Sequence, residues 1–164
     1  MKGETMDKTW LKAWLLCGTL DALYASVMTL IQGKQDLVTM WSGVAAGPFG
    51  DGAGGWGAGG LLAGIAVHFA LMAIMVAAGL FLARNTQLGR IAPRKAGTAY
   101  GLVLYGIMYG IVLQWRFGVP FPNPDRLKVA LSLFPHIFFV GIPIFALARR
   151  AMPVQPIGRN SIVN

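Results

Sequence analysis

The sequence predicts an all-α membrane protein built as a bundle of four transmembrane helices, and three observations lead to that prediction. Of the 164 residues, 55% are hydrophobic and only 12% are charged, whereas a soluble domain carries about 25% charged residues. The apolar residues are gathered into four stretches, each close to the roughly 20 residues that one helix needs to cross a hydrocarbon core of about 30 Å. Backbone polar groups must also be satisfied within each segment in hydrocarbon, which favours helices over unpaired strands.

Four apolar stretches define the predicted spans, and a proline-rich connection separates the third from the fourth. Pro120, Pro122 and Pro124 in FGVPFPNPD prevent a helix from continuing through this connection. We expect a single transmembrane domain over residues 1–150, followed by a flexible cytoplasmic tail at 151–164. The predicted spans cover about residues 10–31, 60–83, 97–115 and 127–148.

The positive charges predict that both termini lie in the cytoplasm. Ten of the 14 lysines and arginines fall in the N-terminal flank, in the loop between the second and third spans, or in the C-terminal tail. Because positively charged flanks are retained inside, we expect a multi-pass protein of a bacterial cytoplasmic membrane with its N- and C-termini inside. Anionic lipid headgroups account for the net charge of +8, so no nucleic-acid partner is needed to explain it.

The first external loop, residues 34–60, predicts a short helix that lies at the membrane interface. Leu37, Trp41 and Val44 fall on one face of such a helix. The second half of the loop is rich in glycine, but it follows no strand and precedes no Gly-Lys-Ser/Thr, so it does not predict a phosphate-binding loop. At the external end of the third span, Arg116 is expected to extend toward lipid headgroups.

Small residues predict the faces on which the spans pack together. Helices in lipid associate through close contact of small residues and through polar contacts. In the second span His68 follows Gly60 and Gly64 at the same spacing of four residues, so we expect it to face a neighbouring helix. The predicted packing glycines are Gly60, Gly64, Gly97, Gly101, Gly106 and Gly110.

Three ionisable residues fall near the middle of three different spans and predict an intramembrane polar cluster. Asp21 is almost central in the first span, and His68 and His136 each lie within one helical turn of the middle of their spans. Tyr24, one turn beyond Asp21, adds a hydroxyl group to this layer. An unpaired carboxylate at this depth costs about 2.5–3.5 kcal/mol, so Asp21 is expected to be protonated, paired with an imidazole, or beside water.

The fourth span is expected to bend at Pro135, directly before His136. Proline lacks the N–H that would bond to the carbonyl of Leu131. The freed carbonyl can orient an imidazole or bind water. The bend therefore adds a backbone acceptor to the predicted cluster.

Four interpretations of the cluster stay open. The side chains can serve only as packing contacts that fix helix register. His68 and His136 can be axial ligands of a haem b, if their helices face each other across a sufficient gap. The two histidines and Asp21 can hold a metal ion, although their spacing is not typical of such sites. Asp21 and the histidines can also move protons, because histidine titrates near neutral pH.

Three segments resemble the YagU-like family of small bacterial inner-membrane proteins. They are GIAVHFALM (64–72), the proline-rich turn after the third span, and HIFFVGIPIFALARR (136–150). The resemblance covers roughly residues 60–150 and implies a helical fold in a bacterial cytoplasmic membrane. It matches His68 and His136 to histidines of the family pattern, leaves Asp21 unmatched, and implies no reaction.

The predicted function is that of a non-catalytic integral membrane protein, because the sequence holds no recognisable catalytic set of side chains. We expect an accessory or scaffold subunit that packs with lipids and other integral membrane proteins in a bacterial energy-transducing membrane, without a metal or a required cofactor. One alternative is a haem b electron-transfer protein with His68 and His136 as ligands. The other is a small proton-linked transporter or sensor that uses Asp21.

Overall fold

The computed structural model describes residues 2–151, with side chains described from residue 8 onward. This range is helical and holds no strand. Four of its helices are long and apolar enough to cross a membrane, which confirms the predicted all-α fold with four candidate spans. The predicted flexible tail lies outside the described residues apart from Ala151, which ends the last helix.

Five helices follow one another along the chain, and all but α2 are candidate spans. Short 3₁₀ turns connect α2 to α3 and α3 to α4, at Asp51–Trp56 and Gln87–Arg90. Two candidate spans contain π-helical segments, Met108–Leu113 in α4 and His136–Gly141 in α5. The helices are α1 (Lys2–Gln32), α2 (Leu37–Phe49), α3 (Ala58–Asn85), α4 (Pro93–Phe117) and α5 (Arg126–Ala151).

Side-chain caps fix where α2 and α5 begin. The Oδ1 atom of Asp36 accepts a hydrogen bond of 2.7 Å from the backbone N–H of Thr39, and this bond holds the pKa of the Asp36 carboxyl below its ordinary value. Asp125 accepts in the same way from the N–H of Leu127, at 3.0 Å. At the other end of the connection, Gly118 takes a left-handed φ of 64°, which ends α4.

Helix α5 lies centrally, since it packs against α1, α3 and α4. Glycines bring α4 into backbone contact with it: a Cβ atom on Gly101 would lie 2.5 Å from the carbonyl oxygen of His136, and one on Gly97 would lie 2.5 Å from the Cα of Ile142. Only glycine permits such an approach, because any side chain would force the two backbones apart. The contact fixes the height of His136 relative to α4.

Helix α2 crosses the first turns of α3 at the other pair of predicted glycines. A Cβ atom on Gly64 would overlap the backbone of Trp41, and one on Gly60 would lie 2.8 Å from the carbonyl oxygen of Ala53. The structure thus places a helix inside the first loop, while its location at a membrane surface stays a prediction. The cytoplasmic location of the termini also stays a prediction.

The last two predicted packing glycines differ from the other four. A Cβ atom on Gly106 would meet no other part of residues 2–151 within 4 Å, so its predicted packing role has no partner there. A Cβ atom on Gly110 would lie 3.1 Å from the ring of Phe121. Gly110 therefore packs against the proline-rich connection instead of a neighbouring helix. That connection includes the cis peptide bond Phe121–Pro122.

The two ends of the bundle are packed differently. The half nearer the termini, called here the packed half, holds a core of buried apolar side chains from α1, α3, α4 and α5. The opposite end, called here the loop end, carries residues 33–57 and 118–125 and is the end predicted to be external. Buried residues of the packed half include Ala13, Cys17, Met72, Val76, Tyr100 and Ile144.

Candidate functional site

Asp21 of α1 and His68 of α3 face each other near the middle of their spans. The Nδ1 atom of His68 lies 3.8 Å from Oδ2 of Asp21, and the two side chains are 13% and 21% exposed. The other ring nitrogen, Nε2, lies 3.0 Å from the carbonyl oxygen of Gly18. Because a carbonyl only accepts, Nε2 carries a hydrogen and Nδ1 is the nitrogen that gains or loses a proton. The exchangeable position of His68 therefore faces the carboxyl group.

Aromatic rings enclose His68 from two sides. Trp41 of α2 packs edge-to-face on the imidazole with ring centroids 5.5 Å apart, and Phe69 does so at 5.4 Å. The close approach of α1 depends on Gly18, where a Cβ atom would lie 2.7 Å from the ring of Phe69. These contacts hold the imidazole in one orientation, with Nδ1 directed at Asp21.

His136 of α5 is oriented by its own helix. Its Nδ1 atom lies 2.8 Å from the carbonyl oxygen of Ser132, so Nδ1 donates and Nε2 is left as the nitrogen that can take up a proton. The Ser132 carbonyl can accept this bond because the backbone N–H of His136 bonds to Leu133 instead. Tyr105 and Tyr109 of α4 pack edge-on against the imidazole, both with centroids 5.9 Å away.

The carbonyl of Leu131, which Pro135 leaves without its helical hydrogen bond, bonds to a tyrosine side chain. The hydroxyl of Tyr24 donates a hydrogen bond of 2.8 Å to the carbonyl of Leu131. The predicted acceptor therefore exists, but it bonds to a tyrosine of α1 and not to the imidazole. This bond ties α1 to α5 one turn above Asp21.

A polar cleft of about 580 Å³ lies between α1 and α5 and extends from the loop end to the cluster. Lys34 and Lys128 lie at its outer end, and Asp21 and His136 lie at its inner end. His68 does not line it, so Asp21 separates the cleft from His68. The cleft is large enough for water, and the polar side chains at its two ends offer hydrogen-bond partners. Its inner walls include Asp21, Tyr24, Met28, Tyr109, Ser132 and His136.

The cluster geometry does not fit a haem or a metal ion. A haem b between His68 and His136 needs one nitrogen of each ring on a common iron. In His68, however, Nε2 is bonded to Gly18 and Nδ1 faces Asp21. Among the side chains described from residue 8 to residue 151, no three of His, Cys, Asp or Glu lie together as a metal-ion site would require.

Sequence reasoning located the four polar residues, and the structure arranges Asp21, Tyr24, His68 and His136 around one layer of the bundle. It missed the role of Arg116, which was expected to reach lipid headgroups. Its guanidinium instead donates to the carbonyl of Ala46 at 2.8 Å and pairs with Asp51 at 2.7 Å. Asp51, the only acidic residue of the glycine-rich loop half, was the available sign of that contact.

The fold and the cluster define a class of protein: a small helical protein with four candidate membrane spans and an acid–histidine pair near their middle. No protein-family model, curated protein or solved structure matches the chain. The geometry of the cluster is therefore the basis for a candidate function, and the YagU-like resemblance stays a prediction.

Proposed function

We propose that this chain is a non-catalytic, multi-pass protein of a bacterial cytoplasmic membrane that binds protons at Asp21, His68 and His136. In this proposal it acts as a small proton sensor and as an accessory subunit beside other membrane proteins. The observation that carries the proposal is the position of Asp21, which lies between the cleft of about 580 Å³ and the exchangeable nitrogen of His68.

The pair of Asp21 and His68 can hold one proton in two arrangements. Either the carboxyl is protonated beside a neutral imidazole, or a carboxylate faces an imidazolium, and both arrangements have no net charge. This neutrality removes most of the cost of about 2.5–3.5 kcal/mol that an isolated charge bears in the membrane. Gain or loss of a further proton breaks the neutrality, so the pair responds to proton concentration. The cleft gives Asp21 and His136 a route for exchange with water.

The packed half favours a sensor over an open proton conduit. The cleft reaches the cluster from the loop end. Toward the termini the next layer contains Cys17, Val76 and Ile144, each with no exposed surface. Close packing of this kind leaves no space for a chain of water molecules.

An accessory role follows from where a response can act. The described chain consists of membrane-length helices and short connections, so a change at Asp21 is transmitted within the membrane or at its surface. Neighbouring membrane proteins are therefore the partners we propose. A YagU-like lineage and an external loop end are part of the same proposal, and they rest on the segment resemblance and on the charge distribution.

The first experiment follows proton binding in the full-length protein in lipid nanodiscs. With ¹³C-labelled aspartate, we expect a carboxyl signal that Asp21→Asn removes and that shifts with pH in the wild type. His68→Gln should displace the midpoint of that shift, because it removes the facing nitrogen. Asp51→Asn, which changes an exposed carboxyl at the loop end, is the matched control and should leave the midpoint unchanged. A midpoint that His68→Gln does not alter contradicts the proposal.

The second experiment separates a sensor from a conduit. Proteoliposomes with a trapped pH indicator receive an external acid step, and the rate of internal acidification is compared for wild type and Asp21→Asn. We expect equal rates, since the packed half blocks passage. A wild-type rate clearly above that of Asp21→Asn would show proton conduction and overturn the sensor proposal.

A further inference from the structure

Helix α2 is attached to the rest of the molecule mainly at two places. Along α3 it rests on Gly64, which meets the backbone of Trp41, and on Gly60, which meets the side chain of Ser42. At its C-terminal end, Arg116 of α4 donates from Nη2 to the carbonyl of Ala46 at 2.8 Å and from Nε to that of Gly47 at 3.1 Å. A cation at the C-terminal carbonyls of a helix interacts favourably with the helix dipole.

One part of the Arg116 attachment is weak. Its third partner, Asp51, has a side chain that is 88% exposed, and exposed ion pairs contribute little to stability. The hold on the C-terminal end of α2 therefore depends on the bonds of one side chain to the carbonyls of Ala46 and Gly47.

The seat of α2 on α3 also contains an unsatisfied polar group. The hydroxyl of Ser42 is buried against Gly60 and has no hydrogen-bond partner. A buried hydroxyl without a hydrogen-bond partner destabilises the arrangement that buries it. Movement of α2 away from α3 would let this hydroxyl bond to water, which lowers the free-energy difference between the seated and the displaced helix.

Trp41 connects α2 to the proton-binding pair. Its indole packs on the imidazole of His68 with 5.5 Å between ring centroids, and neither ring lines the cleft. The backbone carbonyl of the same residue contacts Gly64. A change at His68 therefore acts directly on the residue through which α2 is seated.

We propose that α2 is a lid on His68 that moves off α3 when both Asp21 and His68 are protonated. This inference rests on the proposed function, because it names the element that responds to proton binding. With one shared proton the pair is neutral and the lid stays seated. A second proton leaves an imidazolium beside a neutral carboxyl, beneath the indole. An unpaired buried charge is strongly unfavourable, and displacement of Trp41 gives it access to water.

Groups from every neighbouring element face or flank the pair. The titratable groups nearest to it come from α1, α3, α4 and α5, and α2 contributes none within the helix. The two lysines at the outer end of the cleft and the two carboxyls at the ends of α2 complete the set. They are Cys17, Asp21, Tyr24, Lys34, Asp36, Asp51, His68, Tyr105, Tyr109, Lys128 and His136.

The test measures the distance between α2 and α4 in the full-length protein in nanodiscs. In a Cys17→Ala background, Gly43→Cys on α2 and Gly106→Cys on α4 carry spin labels, because a Cβ atom at either glycine meets nothing within 4 Å. When the pH is lowered from about 7.5 to about 5, we expect the mean distance to change. A change of about 2 Å or more corresponds to known helix shifts.

Three further variants, each in the same labelled background, identify the cause of the movement. His68→Gln should abolish the change, because it removes the imidazole that becomes charged, and Trp41→Leu should abolish it while the carboxyl signal of Asp21 still titrates. Asp125→Asn, which changes a carboxyl that caps α5, should leave the change intact. A change that survives in His68→Gln, or one that disappears in Asp125→Asn, overturns the lid.

Failure of the lid is distinguishable from failure of the proposed function. If the Asp21 signal shifts with pH and responds to His68→Gln, but the label distance does not change in the wild type, the lid is refuted and proton binding stands. If the Asp21 signal does not respond to His68→Gln, the proposed function itself is contradicted, and the lid with it.

Discussion

The packed half and the cleft of this bundle hold different kinds of polar group. In the packed half, Trp14 donates to the carbonyl of Phe69 at 2.7 Å and Tyr100 donates to that of Met75 at 2.6 Å. Both are neutral donors on backbone acceptors, and the space around them is filled. At the inner end of the cleft, Asp21 and His136 are ionisable side chains that border an open volume. This comparison indicates that a small helical bundle can hold ionisable side chains where its helices separate, provided that the adjacent layer of side chains is closely packed.

Glycine and proline set the boundary between these two regions. Gly97 and Gly101 bring α4 onto α5 at the level of His136–Gly141, which closes the packed half. Directly before this segment, Pro135 frees a carbonyl that Tyr24 occupies. The closed layer and the polar layer are thus adjacent turns of the same helix.

The largest expected effect comes from breaking the closed layer with Gly101→Val. The added side chain would meet the His136 carbonyl and the Cα of Ile137, which are both backbone atoms that cannot rotate away. Overpacking of this kind costs about 1–3 kcal/mol, occasionally more. We expect a clearly lower free energy of unfolding in detergent.

Gly106→Val is the control for that substitution, on the same helix and with the same added volume. A Cβ atom at Gly106 meets nothing within 4 Å, so stability should be almost unchanged. Equal losses in the two variants would show that helix propensity, and not the contact of α4 with α5, accounts for the effect.

The second expected effect tests whether the cleft holds water. Met28 lines the cleft, whereas its neighbour Val27 is 50% exposed on the outer face of the same helix turn. In a Cys17→Ala background, Met28→Cys should react with a charged thiol reagent about tenfold faster than Val27→Cys in liposomes, because the reactive thiolate forms in water. Equal rates, or a faster rate at Val27→Cys, would contradict a water-filled cleft.

The smallest expected effect concerns the cap of α2 at the loop end. The hydrogen bonds of the cap lower the pKa of Asp36. The contribution of the cap to stability is therefore fully present above the ordinary aspartate pKa and is lost as the pH falls through the lowered pKa. Asparagine caps a helix about as well as aspartate does, but it lacks the negative charge that the helix N-terminus favours. The melting-temperature difference between wild type and Asp36→Asn should therefore favour the wild type at neutral pH and shrink in acid. A difference that is constant with pH would contradict this.

Much of the architecture could be predicted because apolar length follows simple rules. It located the four candidate spans, and counting within them placed Asp21, His68 and His136 in one layer of the bundle. Pro135 also indicated the freed carbonyl. The identity of its partner could not follow, since Tyr24 reaches Leu131 across 107 positions of sequence.

The features that escaped prediction depend on how helices cross. Trp41 on His68 and Arg116 on α2 join residues far apart in sequence, and no local pattern marks them. The π-helical segment Met108–Leu113 contains no proline that could have indicated it. Gly106 shows the converse: a small residue at the right spacing, with no partner among residues 2–151.

The most direct test of the acid–histidine pair is the imidazole ¹⁵N spectrum of the untagged protein in lipid bilayers. The chain has two histidines, so His68→Gln and His136→Gln assign every signal. With both rings neutral, the account predicts opposite tautomers, hydrogen on Nε2 of His68 and on Nδ1 of His136. On acidification His68 should gain its proton at Nδ1. A neutral His68 with its hydrogen on Nδ1 would contradict the account, because the nitrogen facing Asp21 would then already be protonated.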